Sequence, residues 1–180
     1  MQRLHEKGNV HPRGRILRSQ SWRLTMPSRH IVALLALAAV PTLALAQDFN
    51  RQPSFGTVNL RANFAPDPYT VNVTAGGGLP AERLGGRECL GSIANAPDVR
   101  LNYSAGQGLP LYLSAVSRAD VTLVVNLPDG RWACNDDFQG TNPGMIFRNP
   151  QSGQYDIWIG SYDRGSRIPA QLRISEVPPN

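Results

Sequence analysis

Residues 120–137 read DVTLVVNLPDGRWACNDD, and this stretch decides the fold. Val121, Leu123 and Val125 recur with a period of two, the spacing that places side chains on one face of a strand. Leu127-Pro128-Asp129-Gly130 then turns the chain. Proline presets φ at the second turn position, and glycine takes a position that wants positive φ. A strand over 121–127 ending in a tight turn is the predicted unit.

The same pattern repeats outward in both directions. Residues 57–64 alternate through Val58, Leu60 and Ala62, and residues 69–74 through Val71 and Val73. Val99, Leu101 and Tyr103 share a face, as do Leu111, Leu113 and Ala115. Tyr155, Ile157 and Ile159 form another set, and Leu172 and Ile174 close the series. Gly/Pro/Asn clusters separate these runs, among them Asn149-Pro150-Gln151-Ser152-Gly153. Short alternating runs with such punctuation predict an all-β, antiparallel β-sandwich or jelly roll of about eight strands. Gly76-Gly77-Gly78 lacks the Lys-Ser/Thr of a phosphate loop, and no helical pattern follows it, so it reads as a flexible loop.

The chain has 180 residues with a formal net charge of +5, but that charge is unevenly placed. Residues 31–45 (IVALLALAAVPTLAL) form an apolar run preceded by Ser28-Arg29-His30 and followed by Ala44-Leu45-Ala46. The run is shorter than the ~20 residues a membrane helix needs. A positive flank, a short apolar stretch and a small-x-small site describe a cleaved signal peptide, here at Ala44, Ala46 and Gln47. Without a twin-arginine pair, Sec-type export is expected. Residues 1–25 are then an overlong basic start, or a basic arm, and 26–46 are the signal peptide. A linker covers 47–56, the sandwich 57–176 and a tail 177–180. Beyond residue 46 the chain carries eleven arginines and twelve carboxylates, a net of −1. That balance argues against a nucleic-acid partner. The remainder is expected to be periplasmic or secreted, with no stable membrane span after cleavage.

Two cysteines follow the leader, Cys89 and Cys134. In an oxidising compartment they have one intramolecular pairing. Closing a loop of about 45 residues would stabilise the fold by roughly 4 kcal/mol in the chain-entropy account. A zinc site is the competing reading, and two thiols without histidine make a poor ligand set for it.

All three histidines and the single lysine lie within the first 30 residues. Once the leader is removed, no histidine or lysine remains to activate a serine or cysteine nucleophile. A carboxylate pair of the glycosidase kind is the enzyme class left open. Asp136 and Asp137 are adjacent and face opposite sides of an extended chain, with no second carboxylate evidently placed against either.

The order of motifs from residue 120 onward resembles the bacterial pre-peptidase C-terminal domain. Asp120–Gly130 is followed by Trp132-Ala-Cys-Asn-Asp-Asp137, then Asn142-Pro-Gly-Met-Ile-Phe147, then Gly153-Gln-Tyr-Asp-Ile-Trp-Ile-Gly160. The family's pattern is a strand ending in Pro-Asp-Gly, an Asn/Asp-rich loop, and a Gly-x-Tyr-x-Ile/Val strand. The resemblance covers residues 98–176, and more loosely 57–176. It implies a small β-sandwich of the kind found on secreted proteases and other exported proteins. The chain also resembles small stand-alone exported bacterial proteins, some labelled trypsin-like peptidases. It departs from any such peptidase in lacking a histidine after the leader and a Gly-Asp-Ser-Gly nucleophile segment.

Asn135, Asp136, Asp137 and Asn142 are the candidate metal ligands, because calcium takes hard oxygen donors from loops. Some sandwiches of the resembled kind bind calcium in acidic loops. The alternative is that these Asn and Asp side chains form turns. Trp132, Trp158 and Tyr162 are the candidate contact residues. Trp158 has opposite strand parity to Ile157 and Ile159, which would turn it outward to stack on a glycan or a protein partner. The expected function is an exported, non-enzymatic binding or accessory module in which Ca2+ is the possible cofactor. The alternatives are a secreted hydrolase and a structural envelope protein.

Overall fold

The computed structural model describes residue 48 and residues 50–178. The leader, its cleavage site at Ala44, Ala46 and Gln47, and the two alternative starts lie outside the described residues.

Among the described residues, eleven strands form two facing sheets. They are β1 (Thr57–Arg61), β2 (Tyr69–Ala75), β3 (Leu79–Pro80), β4 (Ser92–Ile93), β5 (Val99–Ser104), β6 (Leu111–Ser117), β7 (Val121–Asn126), β8 (Trp132–Asn135), β9 (Gly144–Phe147), β10 (Gly153–Ser161) and β11 (Ile168–Ser175). One sheet runs β1-β5-β10 with β7 and then β8 on the far side of β10, while β4, with β3 outside it, pairs with the C-terminal end of β10 at Ser161. The other sheet runs β2-β11-β6-β9.

The alternating residues meet between the sheets as expected. Val58, Val73, Leu101, Leu113, Leu123, Ile157, Leu172 and Ile174 belong to one buried cluster. Four strands, β3, β4, β8 and β9, go beyond the alternating runs. They are two to four residues long, too short to show a period. The pairing is also not wholly antiparallel. β1 lies parallel to β5, with Val58 opposite Leu101.

The Pro128 turn forms as its residues dictate. Gly130 N–H donates to the Leu127 carbonyl at 2.8 Å, and Leu127 N–H to the Arg131 carbonyl at 2.8 Å. Gly130 has φ 81°. This three-residue hairpin loop sets the β7–β8 register, with Asn126 opposite Trp132.

The triple glycine is a packed crossover rather than a free loop. It carries the chain from β2 in one sheet to β3 in the other. A Cβ on Gly77 would lie 2.2 Å from the Ile93 backbone, so only glycine fits. The expected linker is docked as well. Ser54 N–H donates to the Pro97 carbonyl and Phe55 N–H to the Asp98 carbonyl.

A second, smaller core lies on the outer face of the first sheet. Ala81, Cys89, Ile93, Val124 and Trp158 are buried together, with Leu84, Trp132 and Cys134 packed against them. The cover is the 3-10 turn Ala81–Leu84 and the chain that follows it. The Cys89–Cys134 disulfide ties this cover to β8. Every residue of β7 is therefore buried, on alternating faces. Gly160 permits the close fit, since a Cβ there would meet Thr122 Oγ1 at 2.3 Å.

Asp98 fills a gap in the ladder. On one side of β10, pairing with β5 stops at Ile157 and pairing with β4 is confined to Ser161. Between them Ile159 N–H donates to Asp98 Oδ2 at 2.7 Å. Asp98 is almost wholly buried. Burial pushes its pKa up to about 7, against the lowering effect of the Ile159 hydrogen bond.

Reducing the disulfide should lower stability by about 4 kcal/mol, the scale set by a loop of this length. Thermal melts with and without reductant measure it, and equal melting temperatures would contradict it. For Asp98, the folded state holds its proton more tightly than the unfolded chain. Its contribution is therefore full below about pH 4 and is lost as pH rises through about 7. Asp98→Asn keeps an acceptor for Ile159 without a charge. The variant should gain on the wild type as pH rises from 5 to 8 in chelator-containing buffer, and parallel pH–stability curves would contradict the assignment.

Candidate functional site

The β7–β8 hairpin brings three carboxylates to one end of the first sheet. Asp120 immediately precedes β7, and Asp136 and Asp137 immediately follow β8. One oxygen from each lies within 4.8 Å of the others. Asp120 and Asp136 are half-buried and Asp137 is exposed. Asp120 Oδ1 and Asp136 Oδ1 are buried with no hydrogen-bond partner.

The electrostatics follow from this crowding. Burial raises the Asp120 pKa, and the Asp137 and Asp163 carboxylates raise it further. Burial likewise raises that of Asp136, with Asp120 and Asp137 adding to it. Like charges held together in a partly desolvated notch favour the protonated form unless a cation is present. The arrangement is a cluster of three carboxylates rather than an opposed pair. It suits several oxygens converging on one small cation.

The two asparagines in the expected ligand set do a different job. Asn135 Oδ1 accepts from Gly144 N–H at 2.8 Å, and Asn142 Oδ1 from Ser117 N–H at 2.8 Å. Asn142 also closes the loop through its backbone, where Phe138 and Gln139 N–H groups donate to its carbonyl. Their oxygens satisfy main-chain amides nine and 25 residues away in the chain, so they tie the loop to β9 and β6 rather than forming local turns. Asp136 and Asp137 lie instead in the carboxylate cluster with Asp120.

Trp158 is not exposed, contrary to what its parity suggests. It does turn away from the main core, as its parity requires, but it is fully buried. It lies in the second core, its ring centroid 5.3 Å from that of Trp132. With no exposed surface it cannot stack on a ligand. Trp132 is half-buried and borders a cleft of about 600 Å³ beside the disulfide, lined also by Arg87, Asn135 and Phe147.

Tyr162 is exposed, and its N–H donates to the Asp120 carbonyl at 3.3 Å. Phe138, next to Asp137, is exposed too and was not singled out by the alternating pattern. Tyr162 is thus tied to Asp120 through the backbone, and Phe138 follows Asp137 in the chain with its ring lying over Gly144.

No known family profile matches the chain, and no curated protein does. Among solved structures, it is similar to the pre-peptidase C-terminal domain of collagenase from Bacillus anthracis. The identity is 15% and the TM-score 0.39, over 70% of this chain and 100% of that one. Among the described residues, no helix is long and apolar enough to cross a membrane.

Trp158→Ala should behave as a core deletion, costing about 3–5 kcal/mol. Denaturant unfolding monitored by far-UV circular dichroism measures this, and a loss below about 1 kcal/mol would place Trp158 outside the core.

Proposed function

We propose that the chain is an exported, non-enzymatic binding or accessory module of pre-peptidase C-terminal type. Its contact surface is the carboxylate notch with its aromatic neighbours. The observation that carries this reading is the convergence of Asp120, Asp136 and Asp137, two of them with buried, unpartnered oxygens, beside exposed Phe138 and Tyr162. The order of motifs from Asp120 to Gly160 supports the family assignment, and the leader-like run at 31–45 supports export to the periplasm or beyond.

In this reading the notch takes a calcium ion through Asp120, Asp136 and Asp137, with water completing the shell. The ion relieves the mutual repulsion of the carboxylates and fixes the 136–142 loop. Phe138 and Tyr162 then present flat apolar surface to a glycan or a protein partner. The lack of histidine and lysine beyond residue 46 favours binding over hydrolysis by an activated serine or cysteine.

Calcium at a hundred times its Kd would add about 2.7 kcal/mol, a rise of several degrees in melting temperature. The rise should be larger at pH 7.5 than at pH 5, because the raised pKa values of Asp120 and Asp136 make protons compete with the metal. Asp120→Asn should abolish it. Equal melting temperatures in millimolar calcium and in chelator would remove calcium from the proposal. Contact is tested separately on a glycan array and by pull-down, where Tyr162→Ala and Phe138→Ala should each lower the signal severalfold. Signals unchanged in both variants would move the contact surface elsewhere.

A further inference from the structure

The sandwich leaves one long edge strand without the usual protection. Among the described residues, β2 pairs with β11 alone, so its other side is the free edge of the four-stranded sheet. It spans seven residues, Tyr69-Thr70-Val71-Asn72-Val73-Thr74-Ala75, with no charge, no proline and no glycine. The other edges are shorter or guarded. β1 has five residues and ends on Arg61, β3 has two and contains Pro80, and β9 has four and begins with Gly144. β8 has four and is bridged to the cover by Cys134. An unguarded edge of this kind offers a row of backbone donors and acceptors to another strand.

The sequence of β2 also says which strand fits. Thr70-Val71-Asn72-Val73-Thr74 reads identically in both directions. Antiparallel self-pairing centred on Asn72 would set Val71 against Val73, Thr70 against Thr74, and Asn72 against its own copy. Facing residues in such a pair share one side of the sheet. The valines would therefore meet on the core-facing side, where Val71 is still half-exposed. The exposed Thr70 and Asn72 would meet on the outer side. A two-fold axis through an antiparallel pair is the closed, isologous arrangement, which consumes the edge and halts further growth.

We propose that β2 is a dimerisation strand whose occupant is the β2 of a second copy of this chain, giving one continuous eight-stranded sheet across the pair. The notch at Asp120 takes no part in it.

Sedimentation of the protein recovered after export, its leader state fixed by intact mass, tests this. A dimer population should grow between about 1 and 100 µM, the range of a small interface. Asn72→Lys would set two like charges against each other at the axis and should raise the dimer Kd at least ~10-fold. If Asn72→Lys fails to fold, Asn72→Cys carries the test. Opposed Cα atoms in antiparallel strands lie ~4.5–5.5 Å apart, within disulfide reach. Asn72→Cys should then cross-link at least ~10-fold faster than Gln107→Cys, which sits in the exposed β5–β6 turn. A wild type that stays monomeric to about 100 µM overturns the proposal. So does a dimer insensitive to Asn72→Lys, or equal cross-linking at the two positions.

Discussion

The structure depends on burying both faces of β7 and of the central part of β10. A sandwich sheet ordinarily sends one face inward and leaves the other in water. Here the outward face carries Val124 and Trp158, both without exposed surface. Burying a side chain as large as tryptophan removes well over 100 Å² of largely apolar area from water. Something must cover it, and a 3-10 turn of four residues is too slight to stay in place by packing alone. The Cys89–Cys134 link supplies the remaining constraint, and Gly160 supplies the clearance that lets the cover lie flat.

The long strands were legible in the sequence because each carries its inward-facing apolar residues at a period of two. Leu111, Leu113 and Ala115 mark their strand from its first residue. Residues 155–159 mark only the middle of β10, because Gly153, Gln154, Gly160 and Ser161 add nothing to an apolar period. β8 and β9 stayed hidden because four residues are too few to show a period. Trp158 shows how parity can be right and exposure wrong. Parity fixes the face of the sheet but not what lies over that face. A signal did exist. Leu123-Val124-Val125 and Ile157-Trp158-Ile159 are continuous apolar runs, the mark of strands buried on both sides.

The site was legible in part. Asp136 and Asp137 stand out as adjacent carboxylates after a strand. Asp120 sits sixteen residues earlier, and only hairpin register brings it back. That register could have been read from the Pro128 turn, since pairing Asn126 with Trp132 sets residue 120 opposite residue 138. Asn135 and Asn142 looked like ligands because amide oxygens suit calcium. Main-chain amides in an irregular loop need the same oxygens, and composition alone does not say which demand prevails. Phe138 carried little signal, because a lone aromatic in a polar loop belongs to no period.

Ile159 has a consequence beyond packing. Its N–H is held by Asp98, and its carbonyl accepts from Gly76 N–H at 2.9 Å, at the point where the chain leaves β2. A main-chain hydrogen bond therefore joins the end of one sheet to the centre of the other. Apolar side chains between two sheets resist separation strongly and sliding only weakly, because dispersion and burial lack direction. A directional bond near the rim opposes sliding. Under mechanical load, such as a pull on one sheet while the other is held, the two layers would move as one plate until that bond gave way.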